Sequence, residues 1–418
     1  MNGLPSNDTL LIYAPVPLHR DAEGRLLVES QAANGLRLWA SNFTRVIVMM
    51  PLSPAPAPPG WEPISTSRPG MDRVRFEPLP MAYRPDQFFR HLPATRRRIR
   101  TLIQEAQWLS FAIGGLFGDW GAVASFLAHR MGRPFAVWTD RVESQVVRQA
   151  TCAGSLRSRL RAHLTHRPMA ALERAVIRRA SLGLFHGQET YEANFPFSLG
   201  PAEVVHDIHL APRDHIDACR LAAKAEGAAQ GPLRLVYVGR AHAMKGPFDW
   251  LDVLERLSAM GVDFHARWLG DGPERAEMLA RIARSGLQSR VEMPGFTTDR
   301  SALLEELRKA HVFLFCHLTP ESPRCLIEAL ASGSPLAGYA SAYSQELVAK
   351  HSGGVLVTRG DTTALAREVA GLATDRARLS QLILAAARDG APFTDEAVFE
   401  HRSQVIRRHL GAGFTARS

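Results

Sequence analysis

The sequence of 418 residues has few cysteines and no long apolar run. No stretch reaches the roughly 18 consecutive apolar residues of a membrane-spanning helix, which excludes such a helix. The first residues have no basic leader followed by an apolar stretch, so no signal peptide is predicted. The cysteines have neither metal-ligand nor disulfide-framework spacing, which favours a reduced, cytoplasmic setting. They are Cys152, Cys219, Cys316 and Cys325.

Lysine is absent before Lys224, so every basic residue of the first half other than histidine is an arginine. Residues 1–215 have 25 Lys+Arg against 18 Asp+Glu, a balance of +7, and residues 216–418 have 25 against 23, a balance of +2; the sum is the net charge of +9. A basic half indicates an anionic partner, such as a membrane surface, a nucleic acid or a phosphorylated substrate.

Two arginine-rich segments, 90–100 and 157–179, contribute much of this charge. The second has leucines on one helical face with arginines around them, a pattern typical of a helix that lies on an anionic membrane. A solvated arginine-rich face is the alternative. Nucleic-acid binding is disfavoured because no recognised reader motif accompanies the charge. The residues of the helical pattern are Leu156, Leu160 and Leu164 with Arg157, Arg159 and Arg161.

Apolar runs of strand length alternate with helical patterns, and this rhythm restarts after the small-residue segment 222–233, which reads as a linker or a helix end. Buried strands joined by helices imply parallel sheets covered on both faces, and therefore two doubly wound α/β domains. We predict an N-terminal domain over 1–215, a C-terminal domain over 216–390 and a C-terminal helix over 391–418 that packs back toward the N-terminal domain. The predicted strands are 9–15, 45–50, 108–115, 134–140 and 182–187, then 233–239, 263–270, 290–296, 310–316, 334–339 and 353–357. Helical patterns include 29–42, 119–132, 247–260, 273–286, 362–389 and about 395–410.

Glycines and cations follow several strands of the second half. A strand ends in Gly239-Arg240, and Lys245-Gly246 comes just before a helix, an arrangement that suits a diphosphate. The alternative is a solvated loop with two exposed bases. Two further strand-end loops, LGDGPE and VEMPGFT, fit ordinary turns when each is taken alone. Their candidate ligand-contacting residues are Gly270, Gly272, Gly295 and Phe296.

The stretch ESPRCLIEALASG has two glutamates that its proline separates. Pro323 disfavours helical dihedrals at Ser322 and fits a first helical position, so we predict Ser322 as the N-cap. Glu321 then belongs to the loop, Glu328 lies inside the helix, and Ser332-Gly333 marks the helix end. The helix N-terminus presents amides and a positive dipole end to whatever lies above the preceding strand. Ordinary charges around a helix are the alternative.

In combination, VGR-(4)-KG, GDGP, GF and the acidic loop leading into LIEALASGSPL occur in order, each at a strand end. This set resembles the retaining glycosyltransferases of family four, of the GT-B type with two Rossmann-like domains and a cleft between them. The resemblance is specific over residues 233–360. Over the first 215 residues only the strand–helix rhythm agrees.

The resemblance implies roles for individual residues. Arg240 and Lys245 would neutralise the diphosphate of a nucleotide sugar, and Glu328 would accept hydrogen bonds from the ribose. Glu321 would lie by the transferred sugar and the β-phosphate, together with the start of the helix. Six residues separate the two glutamates, one fewer than is usual in the family, so the position of Glu321 is open. The helix-start residues are Pro323, Arg324, Cys325 and Leu326, of which Arg324 could add a phosphate contact.

In the first half, Gly114 and Gly115 lie between a strand and a helix, where family members have a loop near donor and acceptor. Packing glycines in a tight turn are the alternative. Asp140 occupies the approximate position at which relatives often have a histidine, and is a candidate acceptor contact.

The sequence thus predicts a retaining, metal-independent glycosyltransferase of the hexosyltransferase type with no cofactor. Its donor would be a nucleoside diphosphate sugar, and its acceptor a saccharide or a lipid-linked diphosphate of surface polysaccharide assembly. We expect it in the cytoplasm, or peripheral on the inner face of the cell membrane, without nucleic acid. A GT-B-like nucleotide-sugar epimerase and a non-catalytic sugar-nucleotide-binding protein are the alternatives.

Overall fold

The structure is a computed structural model that describes residues 8–64, 70–149, 156–319 and 321–415. The chain forms two compact units, one of Met1–His209 with Glu396–Ser418 (unit 1) and one of Leu210–Asp395 (unit 2). Each unit is built around its own parallel sheet, in accordance with the predicted doubly wound α/β architecture. Among the described residues, no helix combines the length and apolarity needed to cross a bilayer.

Unit 1 has a seven-stranded sheet of order β10-β9-β8-β7-β1-β4-β6, in which every strand pairing is parallel. A smaller sheet of order β2-β3-β5 is antiparallel. The strands are β1 (Thr9–Tyr13), β2 (His19–Arg20), β3 (Leu26–Glu29), β4 (Arg45–Leu52), β5 (Trp61–Pro63), β6 (Val74–Pro80), β7 (Trp108–Ala112), β8 (Ala136–Thr139), β9 (Leu182–His186) and β10 (Ala202–Val205).

The helices of unit 1 cover the large sheet and close its core. Strands β1, β7 and β9 are buried at every residue, as parallel strands covered on both faces require. Phe111, Trp120 and Phe135 are among the largest side chains of the core. The helices are α1 (Ser30–Asn42), α2 (Pro85–Glu105), α3 (Trp120–Arg130), α4 (Glu143–Gln149), α5 (Leu156–Ile177) and α6 (Gly187–Asn194).

Unit 2 has a six-stranded parallel sheet of order β13-β12-β11-β14-β15-β16. Its strands are β11 (Leu233–Val238), β12 (Phe264–Leu269), β13 (Val291–Gly295), β14 (Val312–Phe315), β15 (Leu336–Tyr339) and β16 (Gly354–Val357). Its helices are α7 (Ala218–Gly227), α8 (Pro247–Ala259), α9 (Arg275–Arg284), α10 (Arg300–Lys309), α11 (Arg324–Ala331), α12 (Ala342–Val348), α13 (Thr362–Thr374) and α14 (Arg376–Gly390). A last helix, α15 (Asp395–Thr415), follows.

The predicted single helical pattern over 362–389 is wrong in one respect, because two helices replace it. Asp375 lies between α13 and α14 with φ −98° and ψ 81°, and its carboxylate accepts the amide of Arg378 at 2.9 Å. This side chain caps the second helix and ends the first. The segment 222–233 contains the end of α7, so its helix-end interpretation is confirmed.

Candidate functional site

The predicted donor-site loops follow the carboxyl ends of adjacent strands in unit 2. Strands β13, β12, β11 and β14 are neighbours in that order, so their following loops emerge at one edge of the sheet. The loops pack backbone to backbone. A Cβ at Gly270 would lie 2.0 Å from the carbonyl oxygen of Gly239, and one at Gly272 would lie 2.3 Å from that of Ala241. Glycine is therefore needed for these two loops to approach.

Gly246 joins the loop after β11 to the start of α8. Its backbone is left-handed, with φ 61° and ψ 46°, and a Cβ there would lie 2.0 Å from the carbonyl oxygen of Cys316. The amide of Leu318 donates to the carbonyl of Met244 at 2.9 Å. The loop that ends at Gly246 is thus held against the loop after β14, and this contact brings Lys245 beside the acidic loop.

Lys245 and Glu321 form an ion pair, with 2.7 Å between Nζ and Oε1. Their side chains are only 12% and 16% exposed, so the pair is largely shielded from water. The shortened spacing between the two glutamates therefore leaves Glu321 in contact with the cation predicted to bind the diphosphate. Its role at the transferred sugar stays a prediction.

Two aromatic side chains that the sequence analysis did not single out support this pair. The Nδ1 of His317 is 3.7 Å from Oε1 of Glu321, and its Nε2 is 2.9 Å from the hydroxyl of Tyr237. Burial, and then the charge of Lys245, lowers the pKa of His317 well below its usual range. The imidazole is consequently neutral near pH 7 and connects the buried Tyr237 to Glu321 without adding a charge.

The start of α11 differs by one residue from the prediction. The N-cap is Pro323, with φ −75° and ψ 129°, and the helix begins at Arg324, so the assignment of Ser322 as N-cap is wrong. The amide of Leu326 donates to the carbonyl of Pro323 at 3.2 Å. Burial raises the pKa of the Cys325 thiol to about 12, so it stays protonated near neutral pH. The helix end at Ser332-Gly333 is confirmed, with Ser332 as C-cap and φ 65° at Gly333.

Glu328 lies inside α11 and is buried, with an arginine as its partner. Its Oε1 accepts from a guanidinium nitrogen of Arg300 at 3.1 Å. Arg300 is the first residue of α10, after the loop that follows β13. This pairing explains how a charge is accommodated between apolar neighbours. A ribose hydroxyl would have to share the carboxylate with Arg300.

The remaining predicted donor residues are exposed at the same edge. The guanidinium groups of Arg240 and Arg324 reach solvent, and the ring of Phe296 is 74% exposed. The charged residues singled out so far are four cations and two carboxylates, and the exposed Asp271 of the loop after β12 adds a third carboxylate, which leaves a positive balance that suits a diphosphate. The four cations are Arg240, Lys245, Arg300 and Arg324, and the first two carboxylates are Glu321 and Glu328.

In unit 1, the loop after β7 folds around Asp119. Its Oδ2 accepts the amides of Gly114 and Gly115 at 3.1 and 3.2 Å, and its Oδ1 caps α3 through the amide of Ala122 at 3.0 Å. Burial raises the pKa of this carboxyl. Both glycine amides are thus engaged within the loop, and a Cβ added at either position would come no closer than 3.4 Å to the surrounding atoms. Their proposed contact with a donor stays a prediction.

Asp140 follows β8 and is exposed. Beside it, Arg141 Nε donates to Glu143 Oε1 at 2.5 Å. Burial raises the pKa of Glu143, with the charges of Asp140 and Asp119 adding to the shift and Arg141 opposing it. The end of β8 therefore carries a partly buried carboxyl that the sequence did not single out, next to the candidate acceptor contact.

The arginine-rich segments lie on two helices of unit 1. The segment 90–100 falls within α2, where Arg98 pairs with Glu77 at 2.5 Å. In α5, Leu160 and Leu164 are 61% and 64% exposed, as the amphipathic pattern predicts. The other side chains of that pattern lie outside the described residues, namely Leu156, Arg157, Arg159 and Arg161.

Comparisons with known proteins agree with this geometry. Residues 221–389 match the family model described as Glycosyl transferases group 1. The chain is 28% identical over 309 residues to 2-deoxystreptamine N-acetyl-D-glucosaminyltransferase of Streptomyces fradiae, an alignment that covers 68% of this chain and 72% of that protein. It is 29% identical over 206 residues to the putative colanic acid biosynthesis glycosyltransferase WcaL of Escherichia coli K12, covering 47% and 48%, or about half of either chain.

Among solved structures, the crystal structure of HepE from Anabaena in complex with UDP is similar to this fold. The TM-score is 0.62 at 15% sequence identity, and the alignment covers 97% of this chain and 100% of that one. The predicted GT-B architecture is confirmed, and so is the predicted glycosyltransferase class. Neither the epimerase nor the non-catalytic alternative gains support from these relatives.

Proposed function

We propose that this chain, a GT-B glycosyltransferase of group 1, transfers a hexose-type sugar from a nucleoside diphosphate donor to a saccharide hydroxyl. The observation that carries the proposal is the shielded Lys245–Glu321 pair at the strand-end edge of unit 2. Here one cation and one carboxylate are held in place before any ligand arrives, and fixed charges stabilise a reacting ligand without the cost of reorganisation.

The donor diphosphate is the ligand for the cations of this edge. Arg240 is exposed, so its guanidinium can follow a mobile phosphate. Lys245 is largely shielded from water and paired with Glu321, so it provides a fixed charge. Glu328, oriented by Arg300, accepts from the ribose. HepE binds UDP, and UDP is therefore the nucleotide that we would test first.

The chemistry is a substitution at the anomeric carbon with retention of configuration. The bond from that carbon to the β-phosphate oxygen breaks, and a bond to the acceptor oxygen forms on the same face. The acceptor proton passes to the departing phosphate. Arg240 and Lys245 offset the charge that develops on the diphosphate, in place of a metal ion. Glu321 and Glu328 each pair with a cation, which supports their assignment as binding residues and not as an acid–base pair.

UDP binding to single variants tests the donor site. Arg240→Ala removes a charge-assisted contact, which is worth about 1.5–3 kcal/mol, so UDP affinity should fall by at least about tenfold. Lys245→Ala should lower it further, because the carboxylate of Glu321 then faces the diphosphate without its partner. In Lys245→Ala/Glu321→Ala, removal of that carboxylate should restore part of the affinity. Isothermal titration calorimetry measures all three.

Lys350→Ala is the matched control, since Lys350 is an exposed lysine of the same unit outside the site. Its UDP affinity should equal that of the unsubstituted chain. Unchanged affinity in both Arg240→Ala and Lys245→Ala would sink the assignment of the donor site.

Turnover that persists in EDTA, and a product with the anomeric configuration of the donor, would support the metal-independent, retaining reaction. Inversion would refute retention.

The names of the relatives guide the choice of acceptor. One is a 2-deoxystreptamine glycosyltransferase, and another is assigned to colanic acid biosynthesis. For this chain we propose a saccharide acceptor, either free or attached to a lipid diphosphate during polysaccharide assembly. The exposed Leu160 and Leu164 of α5, in a segment whose sequence is rich in arginine, favour transient contact with an anionic membrane. Flotation with phosphatidylglycerol vesicles tests this contact, and equal binding to phosphatidylcholine vesicles would argue against it.

A further inference from the structure

Unit 1 contains a cavity of about 350 Å³ among α4, α5 and the end of α6. Its lining includes three arginines, Arg148, Arg167 and Arg174, together with His166. The charged candidate donor residues belong to unit 2, and the cavity lining includes neither these nor the candidate donor contacts Gly114 and Gly115 of unit 1. Its volume is within the range of pockets that bind small molecules.

The spacing of residues on α5 creates one wall of the cavity. Arg167, Ala171 and Arg174 are related by steps of four and three residues, which places them on the same face of the helix. Ala170 and Ala171 end at Cβ, and Ala193 on α6 does likewise, so these small side chains leave open space beside the longer side chains of the lining.

The charge of the lining is positive. The described lining residues include three arginines and one acidic residue, Glu173. The Oε1 of Glu173 accepts the amide of Ser144 at 3.1 Å. Burial raises the pKa of Glu173, and the hydrogen bonds from Ser144 oppose that shift. Arg174 is positioned with its guanidinium carbon 4.7 Å from the ring centroid of Phe197. A stacked guanidinium keeps its in-plane N–H donors available at its edge.

We propose that this cavity binds phosphate groups, namely the phosphate or diphosphate of the acceptor. Guanidinium groups match phosphate oxygens in a two-point geometry and hold their charge at any physiological pH. Two arginines from one helix face and a third from α4 surround a space large enough for a diphosphate with part of its substituent. That the ligand is the acceptor rests on the proposed function, whereas the existence of the anion site does not.

Titration of inorganic pyrophosphate tests the site, with saturating UDP present so that the donor site is occupied. Arg167→Gln/Arg174→Gln should weaken pyrophosphate binding by at least about tenfold, the minimum expected for loss of charge-assisted bonds. Arg178→Gln, an exposed arginine of the same unit that does not line the cavity, should change nothing. UDP affinity, titrated separately, should be unaffected in both variants, so that failure of the donor site would be seen independently.

Two further ligands distinguish the sources of phosphate. A water-soluble prenyl diphosphate should lose affinity in the double variant as pyrophosphate does, and such a loss supports an acceptor-like ligand. No detectable pyrophosphate or prenyl diphosphate binding by the unsubstituted chain would overturn the proposal. It would also be overturned if the double variant kept pyrophosphate affinity but lost binding to phosphatidylglycerol vesicles, since the arginines would then serve a membrane surface.

Discussion

Gly246 meets two separate requirements at one position. Its φ of 61° lies in the left-handed region, and a Cβ would lie 2.0 Å from the carbonyl oxygen of Cys316. The left-handed backbone costs an L-residue about 1–2 kcal/mol. Overpacking of its Cβ against that carbonyl oxygen adds about 1–3 kcal/mol. The residue is therefore essential to the approach of the two loops that bring Lys245 to Glu321, whether or not its amide touches a ligand.

Gly246→Ala should lower the free energy of unfolding by more than Gly286→Ala, as measured by urea denaturation. Gly286 has a similar φ of 66° but nothing within 4 Å of its Cβ position, so its substitution isolates the backbone cost. The excess loss in Gly246→Ala measures the clash. Equal losses would show that the loop after β14 moves away without cost.

Individual site residues were predictable where a motif contained them, but their pairings were not. Arg240, Lys245 and Glu321 lie in strand-end loops that the sequence marks with glycine and proline, and Glu328 lies in the helix that follows such a loop. Arg300 has no such mark, because it follows an ordinary helix cap and reaches Glu328 only through folding. In the same way, the sequence around His317 contains no feature that indicates a functional residue. Its contacts with Tyr237 and Glu321 are known only from the structure.

At the scale of elements, the strands that the sequence predicted in unit 1 are the five interior strands of its large sheet, β1, β4, β7, β8 and β9, whereas in unit 2 the edge strands β13 and β16 were predicted as well. The large sheet of unit 1 ends in β6 and β10, and neither was predicted. Both have mostly half-buried residues, and β6 contains two prolines, as edge strands can. Their sequences lack the continuous apolar run by which a buried strand is recognised.

Helix boundaries were less predictable than helix existence. The apolar periodicity runs through the break between α13 and α14 because both helices bury residues such as Leu365, Leu372 and Leu379. A capping aspartate can also be a surface residue within a helix, so Asp375 alone does not identify the break. At the start of α11, the N-cap is Pro323 and not the predicted Ser322, and a difference of one residue is usual at helix ends.

His311 joins two strands of unit 2 and makes this connection sensitive to acid. It is fully buried before β14, its amide donates to the carbonyl of Arg234 at 2.8 Å, and its Nδ1 accepts the amide of that residue, on β11, at 3.3 Å. Burial, together with the nearby charges of Arg234, Lys224 and Arg376, lowers its pKa to about 3. In the unfolded chain the pKa is about 6.5.

Acidification from pH 7.5 to pH 5 should therefore destabilise unit 2 through His311. Between the folded and unfolded pKa values the unfolded chain binds one more proton, so stability rises with pH, by up to about 1.4 kcal/mol per unit. His311→Asn keeps an oxygen that can accept from Arg234 but does not titrate. Urea unfolding at several pH values should give a shallower acid loss in this variant. Parallel pH profiles would contradict the assignment.

At the scale of the whole molecule, the chain leaves unit 1 after His209 and returns to it at Glu396. Helix α15 contributes to the core of unit 1, with Phe399 at 5.1 Å from Trp39 between ring centroids and Arg407 at 2.7 Å from Asp8. The sequence rhythm predicts two sheets, and both are present. The sequence also predicts that the C-terminal helix packs back toward the N-terminal domain. Contacts between residues hundreds of positions apart have no local pattern, so the individual residue partners of α15 could not be predicted.

Because α15 contributes to the core of unit 1, we expect a core substitution in α15 to destabilise unit 1. Phe399 is 3% exposed and also contacts Gly35, whose Cβ position is 3.4 Å from the ring. Phe399→Ala should cost unit 1 about 3–5 kcal/mol through the cavity that it leaves. Hydrogen exchange monitored by mass spectrometry should speed up in β1 and α1, but not in β11 and β12.

Phe89→Ala is the matched control, because Phe89 belongs to the same unit but is 61% exposed, and it should leave exchange in β1 unchanged. UDP affinity should stay constant in both variants, since the donor residues belong to unit 2. Faster exchange across both units in Phe399→Ala would mean that the two units unfold together, and the assignment of α15 to the stability of one unit would be wrong.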